Sequence, residues 1–384
     1  MRRLTTALQN RVARFALVCV AVSASSLIAT AGWSQTLTWL GTLGGNWSEG
    51  WDVTDSGVVT GWSRNVDGVW RAFRWTPLTG MEDLGRLGDD RFAQGISANG
   101  QVVVGVYYAP GQMRAFRWSA VTGMQDIGTP GGAASGAWDI SADGTVIVCS
   151  GSNAAGFWRA CRWTQSTGMR ELGTLGGNES ASWDISADGT VIVGWAQNSA
   201  GQARAFRWTQ SSGMQDLGTL GGAWSEARRV SANGAVVVGW SPDAAGQIRA
   251  FRWVAGVGMR SLGTLGGNES RAYGVSGDGS IVVGGSFTAS GAWNAFRWTR
   301  NGIENLNTTY SALLVNGSVL NGAHAVSPNG RYIVGYGYNL ATGRHEAFLL
   351  DTQCSVSGDV NNDRIVDDED LLILLFNFGT ACRN

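Results

Sequence analysis

Near the end of the chain, five side chains and one backbone carbonyl are spaced as ligands for a hard cation. With Asp359 at loop position 1, Asn361 falls at 3, Asp363 at 5, Ile365 at 7, Asp367 at 9 and Asp370 at 12. Ile365 would offer its carbonyl, and apolar Val366 at position 8 would anchor the loop. Ca²⁺ takes such a cage of oxygens, so the segment predicts a Ca²⁺ cofactor. Arg364 stands where this turn favours glycine, which weakens binding. A solvated acidic tail is the plainer reading, and the spacing favours the metal loop over it. A short helix is expected from Asp368 to Asn377, with Leu371, Leu372, Leu375 and Phe376 along one side.

Four of the five cysteines fall into two candidate pairs. Cys149 and Cys161 lie symmetrically about residue 155 in one repeat, where the type copy has Gly194 and Phe206. Across an antiparallel hairpin they would face each other, and exchanging both residues keeps the site filled. In an oxidising compartment a disulfide is the expectation, with two free buried thiols as the alternative. Cys354 and Cys382 bracket the acidic loop and would tie its ends together.

Other chemistry is thinner. An Arg recurs in the FRW motif (74, 117, 162, 207, 252, 297), with Asp83, Asp126, Glu171 and Asp216 as expected structural partners in the next strand. An anion-binding ring of these arginines is the functional alternative. Trp51, Trp138 and Trp183, like Trp62, Trp195 and Trp240, repeat at fixed strand positions and predict packing between repeats. Trp47, Trp70, Trp158, Trp224 and Trp293 are expected in loops, as better ligand candidates. Only two His are present, His324 and His345, and no Ser–His–Asp set or G-x-S-x-G elbow accompanies them. The S-A-D-G-T turns lack the spacing and the aromatic of an Asp-box. No catalytic residue is assigned, and the ligand-binding residues stay unknown.

These residues are carried by a repeat. Measured from Trp75, the FRW tryptophans recur after 43 residues and then four times at 45, with a worn copy at Ala347-Phe348-Leu349. Each copy has a turn dipeptide such as Asn99-Gly100 or Asp188-Gly189, the pair that tolerates positive φ in a tight hairpin. A β-branched run such as Val191-Ile192-Val193 follows, as in strands buried on both faces. No amphipathic helical pattern precedes residue 365. In the type copy, strands are expected at about 183–186, 190–195, 204–209 and 214–220. Four short antiparallel strands in about 45 residues make a propeller blade.

The ends complete the pattern. Leu37-Thr38-Trp39-Leu40-Gly41-Thr42-Leu43 matches the fourth-strand consensus, whereas the seventh unit has no such strand after about residue 350. The expected fold is therefore all-β: a seven-bladed β-propeller over 35–351, closed by its N-terminal strand, with a short loop-helix tail over 352–384. An open solenoid is the alternative. Residues 1–31 read as a signal peptide, with a basic start, an apolar run over Phe15–Ala31 and an Ala-x-Ala site at 29–31. Glycine is abundant (57) and proline scarce (5), as in ordered strands joined by tight turns. All 28 basic residues are arginine and the formal net charge is −1, so no nucleic-acid partner is implied.

The AFRW, LGTLGG and S-A-D/N-G-x-V-V-V-G motifs resemble the HAF-type repeats of bacterial extracellular proteins, over about residues 37 to 350. Arg replaces the family's His before Ala-Phe in most copies. The resemblance implies an exported location and no defined reaction. The acidic loop resembles a dockerin type I Ca²⁺ loop, with Asp370 instead of Glu at the last position. A single loop leaves cohesin docking in doubt. The expected function is binding or scaffolding outside the cytoplasm, on a protein or polysaccharide partner, by a monomeric propeller with no transmembrane helix once the signal is removed, and with the tail used for attachment. The alternatives are a secreted carbohydrate-active enzyme carrying a dockerin-like tag, and a purely structural envelope protein.

Overall fold

The computed structural model describes residues 34–355 other than 86, 315 and 316; the side chains of 34, 354 and 355 are likewise outside it. The signal segment 1–31, the Ca²⁺ loop 359–370, Cys382 and the side chain of Cys354 therefore lie outside the described residues.

Strands numbered in chain order account for nearly all the regular structure. The type copy folds as β14 (Gly176–Ile185), β15 (Val191–Asn198), β16 (Ala203–Thr209) and β17 (Gly213–Asp216), paired antiparallel in that order. Four strands per repeat is the expected number, but the first is longer. Gly176 already pairs with Asn198, so the Gly-Gly-Asn-Glu-Ser run expected as a connection belongs to the strand. The turn between the first two strands is built by the sequence that predicts it. Gly189 takes φ 72°, Ser186 Oγ donates to Asp188 Oδ1 at 2.6 Å, and the amide of Thr190 donates to that oxygen. Val191, Ile192 and Val193 are buried, as a strand covered on both faces requires.

Hydrophobic clusters span neighbouring repeats rather than filling each one. Val146, Val148 and Ala160 of one repeat pack with Ile185, Ile192 and Phe206 of the next. A serine staples most of these junctions. Ser180 Oγ accepts from the Ala160 amide of the preceding sheet and donates to the Gly173 carbonyl, and Ser135, Ser225 and Ser270 do the same in their copies. Within each repeat but the one holding Cys149 and Cys161, a glycine lies opposite a buried Phe. At Gly194, which faces Phe206, a Cβ would come within 2.0 Å of the Ala181 carbonyl.

Five sheets have four strands each, and one has eight. The large sheet runs β26 (Val319–Val326), β27 (Tyr332–Asn339), β28 (Arg344–Ser355), then β2 (Gly44–Val53), β3 (Val59–Asn65), β4 (Trp70–Thr76) and β5 (Gly80–Asp83), with β1 (Ser34–Trp39) paired to β28. The Leu40 amide donates to the Ala347 carbonyl at 2.9 Å. Ser48 then repeats the staple, accepting from Ala347 N and donating to the Gly41 carbonyl. The N-terminal residues thus do for β28 what the fourth strand does in other repeats. Contacts group Leu37–Asp351 as one compact unit, and among the described residues outside it Gln35 Nε2 donates to the Thr352 carbonyl.

The segment between Asn305 and Val319 carries the helical pieces among the described residues, α1 (Leu306–Thr309) and a 3-10 turn (Ser311–Leu313). Leu306 and Tyr310 are buried against Leu320, Ile333 and Phe348, so this segment supplies core. No helix among the described residues is long and apolar enough to cross a membrane.

Candidate functional site

The first strand of every repeat is the innermost one. Besides β2, β14 and β26 these are β6 (Arg91–Ile96), β10 (Gly131–Ile140), β18 (Glu226–Val230) and β22 (Gly266–Val275), and each contacts the next, with β26 against both β22 and β2. Two successive positions on each strand face the axis. Repeat by repeat they read Trp51-Asp52, Gln94-Gly95, Trp138-Asp139, Trp183-Asp184, Arg228-Arg229, Tyr273-Gly274 and His324-Ala325.

The second of these positions forms the floor of a funnel of about 140 Å³. Its collar is made by the turns after the innermost strands: Asp55, Ala98, Ala142, Ala187, Ala232, Gly277 and Pro328. Amide-to-carbonyl bonds tie the collar from repeat to repeat, Ala98 to Ala142, Ala142 to Ala187 and Ala187 to Ala232. Pro328 accepts from Gly277 but has no N–H of its own, and the next amide, Asn329, donates to Asp55 Oδ1. Small collar side chains leave the floor open to the funnel.

On the floor, Arg229 faces three aspartates that precede it in the same repeat column. Its Nη1 lies 2.8 Å from Asp184 and 3.7 Å from Asp139, its Nη2 lies 3.9 Å from Asp52, and Nη2 also donates to the Trp51 carbonyl. Burial works against the Arg229 charge, but Asp184, Asp52 and Asp139 outweigh it and keep the guanidinium protonated. Two of the aspartates are well supplied with donors. Asp52 accepts from the amides of Val53 and Ile96, and Asp184 from Val230 N and Arg229. Burial pushes the Asp52 carboxyl up while Arg229 pulls it down. Asp139 is pushed well above the usual carboxylate range, first by burial and then by the charge of Asp184.

Beyond the floor, the first position of each pair encloses a smaller space of about 20 Å³. His324 stacks on Trp51 with centroids 4.1 Å apart, and its Nδ1 meets the Gly50 carbonyl. Burial lowers its pKa to about 4, so the ring is neutral at pH 7. Arg228 lies over the Trp183 ring at 4.6 Å and bonds Glu226, and Trp47 and Trp51 both donate indole N–H groups to Glu49. The axis therefore combines aromatic faces, carboxylates and two arginines, a set suited to holding a polar ligand rather than to an assigned reaction.

The sequence-based candidates land as follows. Cys149 and Cys161 are a directly opposed cross-strand pair, both buried and both free thiols here. Burial pushes the Cys149 thiol up, and its neighbour Cys161 adds to the shift. The FRW arginines do not take the expected partners. In strands, parity decides: Asp83 lies opposite Phe73, so its face is shared with Arg71, at 3.9 Å. Likewise Arg114 pairs with Asp126, Arg159 with Glu171 and Arg204 with Asp216. Arg74, Arg207 and Arg252 instead donate Nε to the turn-glycine carbonyl of the following repeat, and Arg297 pairs with Glu304.

The tryptophans also depart from expectation. Trp47, Trp70, Trp158 and Trp293 lie in strands rather than loops, half-buried, and of the five candidates only Trp224 lies outside a strand. Trp51, Trp138 and Trp183, expected as packing between repeats, do contact neighbours, yet they also line the axial space. Sequence reasoning missed the floor. Its signal was legible in the aligned column Asp52, Asp139, Asp184, Arg229, where one copy reverses charge.

No family model matches the chain, and no curated protein matches it. Solved structures do. An oligogalacturonate lyase in complex with manganese aligns at 14% identity and TM-score 0.54, over 83% of this chain and 94% of that one. TolB from Acinetobacter baumannii aligns at 12% identity and TM-score 0.46 over 82% of this chain, which spans 65% of the TolB chain. The β-propeller domain of Myceliophteria thermophila Cps50 (Swd1) aligns at 10% identity and TM-score 0.49, over 81% of this chain and 99% of that one. At these identities the likeness concerns fold alone. The protein is an all-β repeat protein with a β-propeller fold.

Proposed function

We propose that this is an exported, monomeric binding protein: a seven-bladed propeller, closed by Leu37–Leu43 acting as the fourth strand of the last blade, that takes its ligand in the axial funnel. The observation that carries the reading is the floor, where Arg229 takes the position that three other repeats fill with aspartate, beneath a collar of mostly small residues. Whatever recurs in each repeat serves the junctions; the charge reversal at Arg229 serves no junction in the other copies. The partner is an extracellular protein or polysaccharide. Export rests on residues 1–31 and on the resemblance to HAF-type repeats.

The tail is assigned to attachment, with Ca²⁺ held by Asp359, Asn361, Asp363, the Ile365 carbonyl, Asp367 and Asp370, and with links Cys149–Cys161 and Cys354–Cys382 formed in an oxidising compartment. A second reading is a glycoside-processing enzyme, because Asp139, pushed up towards its protonated form, adjoins the carboxyl of Asp184.

Probing the full chain against arrayed polysaccharides and envelope proteins, beside an Ala142→Leu/Ala187→Leu variant that fills the funnel, tests the reading. Binding by the wild type and its loss in the variant are expected; binding that ignores the variant would overturn the funnel as the site. Turnover of any arrayed polysaccharide would favour the enzyme. Calorimetry of the full chain should show Ca²⁺ heat that disappears in Asp359→Ala/Asp370→Ala, and no heat in the wild type rejects the loop.

A further inference from the structure

On the outer two strands, the residue opposite the FRW arginine changes its charge from repeat to repeat. In the first repeat Arg74 stands opposite Glu82 and in the sixth Arg297 opposite Glu304, with contacts of 3.7 and 2.5 Å. Between them the carboxylate is lost. Arg117 and Arg207 stand opposite Gln125 and Gln215, while Arg162 and Arg252 stand opposite a second arginine, Arg170 and Arg260. Like charges directly across an antiparallel pair oppose the pairing. Nearby carboxylates are engaged elsewhere. Glu171 pairs with Arg159 and Asp243 with Arg249 on the other face of the sheet, and the turn aspartates Asp188 and Asp278 accept from Ser186 and Ser276. Arg162, Arg170, Arg252 and Arg260 are left without an ion pair among the described residues. Burial works against the Arg252 charge, and Asp278 in the turn beyond offsets only part of that.

We propose that these arginines bind an acidic polysaccharide, with one of its anionic groups seated at Arg162–Arg170 and another at Arg252–Arg260. This site is separate from the funnel and does not rest on it. The sister repeats show which group fits, because the carboxylates of Glu82 and Glu304 take the same place against Arg74 and Arg297. Guanidinium forks present parallel N–H groups to a carboxylate or a sulfate. The Nε–H of Arg252 is spent on the Gly279 carbonyl, which steadies the group and leaves both Nη atoms for a ligand. Arg170 and Arg260 are exposed and Arg162 and Arg252 half-buried, so an anion can reach each pair from solvent. The same pair built into two repeats, with Arg207 in the repeat between, suits a polymer whose anions recur at a fixed interval. Such anions recur along an acidic polysaccharide, and a second seated group raises avidity over the first. A nucleic acid would call for a basic excess over the domain, whereas the formal net charge is −1.

Titration of the full chain with carboxymethyl-dextran and dextran sulfate tests this, with uncharged dextran, polyglutamate and single-stranded DNA as comparisons. Binding of either charged dextran is expected, weakened by salt, and the tighter of the two identifies carboxylate or sulfate as the anion. Arg170→Glu/Arg260→Glu rebuilds the pairing of the first and sixth repeats, so its melting temperature should equal or exceed that of the wild type. Its affinity for the charged dextran should fall about tenfold or more. The Ala142→Leu/Ala187→Leu variant, filled at the funnel, should bind the charged dextran as the wild type does. Absence of binding by both charged dextrans at low salt, equal binding of uncharged dextran, or indifference to Arg170→Glu/Arg260→Glu would overturn the proposal. Tighter binding of polyglutamate or DNA would overturn it too, as would loss of binding in the funnel-filled variant. If the charged dextrans fail while another ligand is lost from the funnel-filled variant, this inference falls and the funnel reading stands.

Discussion

A buried imidazole that stays neutral makes His324 a sensor of acidification. Burial takes its pKa from 6.5 to about 4. Between these values the unfolded chain binds a proton that the folded chain refuses, so stability is lost as pH falls through that window. The full difference is worth about 3 kcal/mol, since each pKa unit is about 1.4 kcal/mol. Asp139 and Asp52 act in the opposite sense. Their folded pKa values are raised, so their contribution is present at acid pH and lost as pH rises out of the usual carboxylate range. Urea unfolding at pH 7 and pH 4.5 separates the two. In His324→Gln the stability lost on acidification should shrink by about 2–3 kcal/mol; an unchanged loss would assign the effect elsewhere.

At the level of the strand and its neighbours, a single serine fills two backbone needs at most junctions. Ser180 Oγ satisfies a buried amide and a carbonyl at once, so Ser180→Ala should cost about 1–3 kcal/mol through the orphaned Ala160 N–H. Equilibrium urea unfolding measures it, and a cost near zero would mean that the staple is dispensable. The hairpin of Cys149 and Cys161 offers a sharper test. The pair stands in register across β11 (Val146–Asn153) and β12 (Trp158–Thr164), where sister repeats hold a glycine under a phenylalanine. Protein recovered from an oxidising compartment should yield a 149–161 linked peptide on mass mapping, and two alkylatable thiols would refute the link.

For the whole molecule, the proposed closure rests on a segment far in sequence from its partner strand. Leu40 is 7% exposed, in a cluster with Val53, Phe73, Val334 and Leu349, and its amide bonds Ala347. Leu40→Asp buries a charge at that seam and should cost about 3 kcal/mol or more. Calorimetric melting should also lose its single cooperative transition as the last blade frays. A melt as sharp as the wild type would show that the N-terminal strand does not close the ring.

The β-class, the four-stranded repeat, its length and the turn positions were all legible in the sequence. They depend on local rules: the period of two in strands, positive φ at Asp-Gly and Asn-Gly, and a consensus that can be aligned to itself. The opposition of Cys149 and Cys161 was legible for the same reason. Only the tertiary structure decided which arginine meets which carboxylate, because one residue of strand offset moves Asp83 from the face of Arg74 to that of Arg71. Only it brought Asp52, Asp139, Asp184 and Arg229 together. They stand up to 177 residues apart in the chain, and no local pattern says that one column of the repeat lines the axis where all the innermost strands converge.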